Sequence, residues 1–169
     1  VNVYESIELP LTGVLAAMEQ VGVGIDPEAL TALSAGFEEE LVRLSQRIYA
    51  LAGVEFNLNS PKQLSEILFE KLQLPMPRRY GRGKVASTAA EVLEELAGLH
   101  ELPARVLEYR ELAKLKSTYI DVLPGMIHPR TRRLHTSFNQ AGTATGRLSS
   151  SEPNLQNIPI RTQLGNKIR

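Results

Sequence analysis

Residues 26–53, DPEALTALSAGFEEELVRLSQRIYALAG, carry the pattern that decides the fold class. Asp26 followed by Pro27 is typical of a helix start, because the carboxylate accepts from the first backbone amides and proline suits the first helical position. Apolar residues then recur at steps of three or four up to Gly53: Leu30, Leu33, Phe37, Leu41, Leu44, Ile48 and Leu51. This stripe predicts an amphipathic helix of about 25 residues, about 38 Å long, that needs a packing partner.

The partner is predicted at residues 102–122, where apolar side chains recur at mostly helical spacing. They are Leu102, Val106, Tyr109, Leu112, Leu115, Tyr119 and Ile120, followed by Leu123. Two long helices joined by smaller ones are expected to pair antiparallel.

Two smaller helices are predicted between the long ones. Ser60 and Gln63 form a capping box with Pro61 at the first helical position, and the helix that follows has an apolar inner face. That face consists of Leu64, Ile67, Leu68 and Leu72. Ser87 and Thr88 are expected to cap a second helix that ends at Ala97. Between these helices, residues 74–84 (LPMPRRYGRGK) predict an exposed basic loop.

The two ends of the chain differ in pattern. Residues 9–20 predict a short amphipathic helix that ends at Gly22 and Gly24, with Leu11, Val14, Leu15, Met18 and Val21 at helical spacing. After Pro124 the helical period is lost, and residues 134–139 (LHTSFN) favour a strand. We therefore place a domain boundary near Pro124, which predicts an α+β fold that is mainly α.

Composition excludes several classes of protein. The chain has no cysteine, so it has neither a disulfide framework nor a thiolate metal site, which agrees with a reducing cytosol. No apolar run approaches the ~18 residues that cross a bilayer, so no membrane association is expected. Because the first residues, VNVYESIELP, include neither Met nor a signal pattern, we expect an internal piece of a longer protein.

The net charge of zero is an average of two opposite halves. Residues 1–70 hold 3 Lys+Arg and 11 Asp+Glu, whereas residues 71–169 hold 16 Lys+Arg and 8 Asp+Glu. A basic half suggests a surface for phosphates, although two ordinary solvated surfaces would have the same composition.

Residues for catalysis are missing from the sequence pattern. Two-metal nucleotidyl transfer needs clustered carboxylates, but residues 38–40 are consecutive glutamates whose side chains diverge around a helix. His128 and His135 have no third metal ligand nearby in the sequence. We therefore predict no catalytic residue and no metal ligand in this chain.

A polar segment, residues 143–161 (TATGRLSSSEPNLQNIPIR), concentrates the side chains that bind nucleic acid. Within eleven residues it contains Arg147, Ser149, Ser150, Ser151, Asn154, Gln156 and Asn157. Arg, Asn and Gln can donate to minor-groove acceptors, which occupy similar positions in every correctly paired step. Alternatively, these side chains satisfy the backbone turns of their own loop. The residues alone leave both interpretations open.

Specific strings resemble a known family. Residues 145–150 (TGRLSS) and 153–159 (PNLQNIP) are similar to the signature at the start of the palm in family A DNA polymerases, the DNA polymerase I type. Residues 56–64 (FNLNSPKQL) resemble a thumb motif of that family, and residues 109–119 (YRELAKLKSTY) resemble the second long helix of its thumb. Ser87-Thr88, Leu134-His135-Thr136 and Phe138-Asn139-Gln140 match further motifs in the same order.

The resemblance implies a domain organisation. Residues 1–9 would be the tail of a preceding exonuclease-like domain or a linker, and residues 10–123 a helical thumb with two long antiparallel helices. Residues 124–169 would be the start of the palm, with its first β segment. The catalytic carboxylates would lie beyond Arg169, so we expect this chain alone to bind DNA without extending it.

The resemblance also implies DNA-binding residues. At the primer terminus and nearby template-primer they would be Arg147, Asn154, Gln156 and Asn157. Along the duplex backbone they would be Arg110, Lys114, Ser117, Asn57, Asn59, Ser60, Lys62, Ser87 and Thr88. Ser60 and Thr88 have a purely structural alternative as helix caps.

The partners implied are primer-template duplex DNA and, in the complete enzyme, deoxynucleoside triphosphates with two Mg²⁺ ions. We expect a monomeric, cytoplasmic, nucleoid-associated DNA-directed DNA polymerase of replication or repair, with no cofactor bound by this chain itself. Residues 77–84, Gly142 and Glu152 depart from the family pattern, which puts the strand contacts of that loop in doubt. The alternatives are a self-standing duplex-binding module and a helical interaction scaffold.

Overall fold

The computed structural model describes residues 2–76, 87–160 and 163–168, with side chains from Leu164 onward in the last range. The chain falls into two units: Val1–Ser34 with Leu115–Arg169, and Ala35–Lys114. We call them the first and the second unit. The boundary near Pro124 stays a prediction, because this division passes through the two long helices instead.

Helix α1, Leu9–Val21, follows a π-helical turn at Tyr4–Glu8 and confirms the predicted first helix. It ends at Gly22, whose φ of 68° lies in the left-handed region that favours glycine. A Cβ there would also lie 2.5 Å from the carbonyl oxygen of Leu134. Of the predicted apolar stripe, Leu15 is buried, whereas Val14, Met18 and Val21 line an open groove beside Phe138 and are about half exposed or more.

Helix α2, Pro27–Ala52, is the predicted long helix. Its cap is as expected: Asp26 Oδ1 accepts from the backbone amides of Glu28 and Ala29, both at 3.0 Å. The apolar stripe faces inward, with Leu30, Phe37, Leu44 and Ile48 buried. Periodicity and capping alone therefore predicted this element within one residue at its C-terminal end.

The second unit surrounds a single buried cluster. After α2 come α3 (Pro61–Ser65) with a π-helical extension (Glu66–Lys71), α4 (Ala90–Ala97) and α5 (Glu101–Leu115). The cluster consists of Ile48, Ala52, Leu58, Leu64, Ile67, Leu68, Val92, Leu93, Leu96, Leu102 and Val106. Every helix of the unit contributes to it, which explains why short helices such as α3 are stable here.

The second-unit parts of α2 and α5 run antiparallel. Arg47 donates two hydrogen bonds to the carboxylate of Glu101, at 3.2 and 2.6 Å. Ile48, near the end of α2, also shares one buried cluster with Leu102 and Val106, which lie in the first turns of α5. The C-terminal part of α2 therefore lies beside the N-terminal part of α5, as the predicted antiparallel pairing requires.

The first unit contains the β structure. A π-helical turn at Lys116–Ile120 extends α5, and a 3₁₀ turn follows at Leu123–Met126. Strands β1 (Ser137–Asn139) and β2 (Ser149–Ser151) pair antiparallel with Phe138 opposite Ser150, and α6 spans Gln163–Ile168. The predicted α+β, mainly α class is confirmed.

Hydrogen bonds join α1 and the residue before it to β1 and the residue after it. Glu19 Oε1 accepts from the backbone amide of Phe138 at 2.6 Å, and Gln140 Nε2 donates to the carboxylate of Glu8, also at 2.6 Å. Val23 and Leu134 add a two-bond backbone bridge, at 2.7 and 2.8 Å. An exposed strand amide invites pairing with another strand, so Glu19 satisfies and blocks the edge of β1 at Phe138.

One predicted helix start is wrong. The N-cap of α4 is Ala89, which makes no side-chain capping bond, rather than Ser87 or Thr88. Ser87 Oγ instead accepts from the amide of Ala89, and the side chain of Thr88 is turned toward Arg110. The predicted basic loop lies mostly outside the described residues, which stop at Met76 and resume at Ser87.

Candidate nucleic-acid interface

The polar segment begins with a tight turn that presents Arg147. Thr143 Oγ1 donates to the carbonyl oxygen of Arg147 at 2.6 Å, and Gly146 has a φ of 72°. The side chain of Arg147 is exposed, and within the described part of the chain its guanidinium has no hydrogen-bond or ion-pair partner. A charged donor fork held out by an ordered turn is suited to a ligand with acceptor oxygens.

Gly142 precedes this turn, at a position that has little room for a side chain. A Cβ at this position would lie 2.5 Å from Ser149 Oγ and 3.2 Å from Asn139 Cγ. Such an approach is closer than real Cβ atoms make, so a larger residue would require Ser149 or the turn to move.

Asn154 takes part in the turn that follows β2. Its Oδ1 accepts from Ser150 Oγ and from the backbone amide of Gln156, both at 3.2 Å. This oxygen therefore stabilises the turn of its own loop, which was the alternative to DNA contact in the sequence analysis. The DNA contact of Asn154 stays a prediction, and it now depends on the amide nitrogen, which is the donor that a minor groove needs.

Gln156 and Asn157 both lie on the surface after this turn. Among the described residues, neither side-chain amide makes a hydrogen bond, although the backbones of both residues do. With Arg147 they place three donor-bearing side chains on the exposed part of one segment. Their predicted contact with the primer terminus is not tested by this arrangement.

Two supporting residues were missed by the sequence analysis. Tyr119 donates its hydroxyl to the carbonyl oxygen of Asn157 at 2.8 Å, and Thr136 Oγ1 lies 3.1 and 2.7 Å from the carbonyl oxygens of Ser151 and Pro153. Tyr119 was placed in an apolar stripe and in a family motif, but was given no role at the site. The available signal was its hydroxyl, because a buried tyrosine usually needs a hydrogen-bond partner.

In the second unit, the side chain of Arg110 forms hydrogen bonds with Thr88. Arg110 Nη1 donates to the carbonyl oxygen of Thr88 at 2.6 Å, and Nη2 lies 3.4 Å from Thr88 Oγ1. Burial lowers the pKa of the Arg110 guanidinium. No carboxylate in the described ranges forms an ion pair with it. A partly buried cation without an anionic partner is an arrangement that a phosphate would improve.

The predicted motif at residues 57–62 forms an ordered turn before α3. Ser60 Oγ accepts from the amide of Gln63 at 3.4 Å, so Ser60 is the N-cap. The second half of the predicted capping box differs: Gln63 Oε1 accepts from the amide of Asn57 at 2.7 Å rather than from Ser60. Asn57 Oδ1 in turn accepts from the amide of Asn59 at 2.9 Å. The side-chain oxygens of Asn57, Ser60 and Gln63 therefore already have structural roles.

The three remaining predicted phosphate contacts are exposed. Lys62 lies 3.9 Å from Glu66, one turn further on, a pair of little energetic value at the surface. Lys114 lies in the last turn of α5, and Ser117 in the π-helical turn after it. Lys114 and Ser117 belong to different units, so their predicted joint contact with one duplex stays a prediction.

No metal site is found among the residues that the structure describes: none of them form a group of three His, Cys, Asp or Glu side chains. The rings of His128 and His135 stack edge to face with centroids 5.6 Å apart. His135 also contacts Thr131 Oγ1 and the carbonyl oxygen of Glu19, which accounts for both of its ring nitrogens.

Among the residues that the structure describes, no helix has the length and apolar character needed to cross a membrane.

Comparisons with known proteins identify the family of this chain. The family model described as DNA polymerase family A matches residues 27–169. The thermostable DNA polymerase I of Thermus aquaticus is 55% identical over 166 residues, which are 98% of this chain and 20% of that protein. DNA polymerase I of Geobacillus stearothermophilus is 55% identical over 163 residues, 96% of this chain and 18% of that protein. The chain thus spans about a fifth of the length of these curated relatives.

A solved structure is similar over almost the whole chain. It is the POL domain of Pol1 from M. smegmatis in complex with DNA primer-template and dNTP. The TM-score is 0.84 at 39% sequence identity, and the match covers 97% of this chain and 29% of that one.

Proposed function

The chain belongs to DNA polymerase family A, and on that premise we propose that it grips primer-template duplex DNA and positions the primer terminus. The whole protein would then be a DNA-directed DNA polymerase of replication or repair, taking deoxynucleoside triphosphates as substrates. The DNA and dNTP in the M. smegmatis complex support this proposal for a chain that matches it over 97% of its length. We further propose a cytoplasmic monomer.

The observation that carries the proposal is the presentation of Arg147. An exposed guanidinium follows a turn that is tied by Thr143, and the exposed amides of Gln156 and Asn157 belong to the same segment. Minor-groove acceptors occur at similar positions in all correctly paired steps, so such donors recognise pairing geometry rather than sequence. This is the recognition that a polymerase needs at a primer terminus.

The second unit would supply backbone contacts. Arg110 lacks a carboxylate partner among the described residues, and Lys114 lies one turn further along the same helix. With Ser87, Thr88 and the turn at residues 57–62, they would bind phosphates along the duplex. Each phosphate neutralised by a cation releases counterions, which makes such binding salt-dependent.

Nucleotide transfer itself needs groups that the described residues do not offer. Family A polymerases use Mg²⁺, but no three acidic or histidine side chains cluster within the described ranges. The residues described here therefore do not fit a two-metal site. The contribution that we propose for this chain is orientation, which lowers barriers by about 7–11 kcal/mol in the most favourable intramolecular cases.

Fluorescence anisotropy of this chain on a primer-template duplex and on the matching single strand tests the proposal. Across a salt series we expect preference for duplex and a log–log slope of about 0.9 per phosphate contact. Lys114→Ala should lower the slope by about one contact, and Arg43→Ala, which removes an exposed charge outside the predicted interface, should leave it unchanged.

Equal affinity for both DNA forms would contradict the duplex grip. Absence of binding at low salt from a chain that circular dichroism shows to be helical would favour the helical interaction scaffold. A self-standing duplex-binding module would bind the duplex without any preference for a primer terminus over a blunt end.

A further inference from the structure

Tyr119 joins the end of the second long helix to the polar segment. It lies in the π-helical turn Lys116–Ile120 and is 7% exposed. Its hydroxyl donates to the carbonyl oxygen of Asn157, 38 residues away, at 2.8 Å. A tyrosine in a purely apolar core position would leave this hydroxyl unsatisfied, so the contact explains why tyrosine rather than phenylalanine suits the position.

Side chains support the segment that receives this bond. Thr136 Oγ1 lies within hydrogen-bond distance of the carbonyl oxygens of Ser151 and Pro153 near β2, and Asn154 Oδ1 closes the next turn by accepting a backbone amide. Tyr119 is the side chain that holds the far end of this turn, at Asn157.

From this geometry we propose that Tyr119 is a positioning residue for DNA readout by Gln156 and Asn157. A carbonyl oxygen held in place orients its whole planar peptide group, which restricts the backbone of Asn157. The side-chain amides of Gln156 and Asn157 are then presented in one geometry instead of many. Tyr119 itself needs no contact with DNA in this role, and the inference rests on the proposed duplex grip.

Preorganisation of this kind is expected to change the preference for a matched over a mismatched primer terminus, as well as the affinity for DNA. Donors that are already aligned lose little freedom on binding, and they bind poorly to a terminal pair of altered geometry. A mobile segment would adapt to both matched and mismatched pairs. The hydroxyl of Tyr119 is therefore expected to increase the preference for a matched primer terminus.

Tyr119→Phe tests this role because it removes the hydroxyl and keeps the ring. We expect about a fivefold loss of affinity for a matched primer-template, the size of one net hydrogen bond, and a smaller ratio of matched to mismatched affinity. The salt slope should not change, since no charge is lost. Tyr109→Phe is the matched control, because the Tyr109 hydroxyl has no hydrogen-bond partner among the described residues.

A merely structural tyrosine would give a different result. Tyr119→Phe would then lower the melting temperature while the matched-to-mismatched ratio stayed at the value of the unsubstituted chain, and that outcome overturns the inference. Amide hydrogen exchange at residues 154–158 without DNA supplies a second measurement. We expect faster exchange there in Tyr119→Phe, and unchanged exchange would overturn the anchor directly.

The proposed function fails separately. If the unsubstituted chain shows no duplex preference, the grip and the discriminating role fall together, while the exchange measurement still decides whether Tyr119 holds the segment. If the chain prefers duplex but Tyr119→Phe discriminates as before, the positioning role alone is wrong.

Discussion

The guanidinium of Arg110 donates to the carbonyl oxygen of Thr88 at 2.6 Å and joins α5 to the residues that precede α4. The bond spans 22 positions in the sequence and is partly buried. It ties together two residues that we had predicted as separate phosphate contacts. Arg110 therefore has a structural role whether or not it also binds a phosphate.

Arg110→Lys is expected to destabilise the chain by about 1–3 kcal/mol, because an ammonium cannot reproduce the two-pronged contact and leaves a partly buried carbonyl oxygen less well satisfied. Urea unfolding measures the loss. Arg43→Lys, on the exposed surface of α2, is the control and should change stability little. Equal effects of the two substitutions would show that the Thr88 contact contributes nothing.

Arg147→Ala is expected to reduce the rate of primer extension more than the affinity for duplex DNA. In a family A polymerase that contains this segment, the substitution should slow primer extension by a larger factor than it weakens duplex affinity, because the lost contact would align the terminus. Single-turnover extension and anisotropy on the same primer-template give the two factors. An unchanged extension rate would remove Arg147 from the predicted contacts.

The ion pairs of Glu101 are expected to make the stability of the fold sensitive to acid. Hydrogen bonds from Arg47, and then from Arg105, lower the pKa of Glu101 from 4.5 to about 2. Since the folded-state pKa is the lower one, the stabilisation is complete above about pH 4.5 and is lost as the pH falls toward 2. Glu101→Gln should therefore flatten the decline in melting temperature over that window.

The matched control for this pH profile is Glu95→Gln, an exposed glutamate on α4. It should leave the decline below pH 4.5 as it is in the unsubstituted chain. The same profile for the Glu101 and Glu95 variants would rule out the pairing of Glu101 with Arg47 and Arg105 as its cause.

Ile48→Ala should be the costly substitution in α2. Its side chain is fully buried in the cluster of the second unit, so removing it leaves a cavity and lowers the free energy of unfolding by about 2–5 kcal/mol. Val42→Ala on the same helix, where the side chain is 48% exposed, should cost much less. Chemical denaturation of both variants checks this, and similar losses would contradict the assigned inner face of α2.

Local signals predicted the helices well. The bounds of α1 and α2 follow from Asp26, Pro27, Gly22 and the spacing of apolar residues, because caps and periodicity act within a few positions. The predicted start of α4 was wrong because a contact distant in sequence, which local signals do not encode, decides the conformation there. Thr88 has the right residue type for a cap, but a guanidinium distant in sequence takes its hydroxyl and carbonyl oxygen.

The candidate site divides in the same way. The sequence by itself determined which side chains are available, namely Arg147, Gln156 and Asn157 on one polar segment, and through its motifs the family to which the chain belongs. For Asn154 Oδ1 the sequence left two roles open, and the structure shows the local one, within its own turn. Only the tertiary structure decided that Tyr119 holds Asn157. Hydrogen bonds between residues 38 positions apart depend on how the chain packs, and no local spacing encodes that packing.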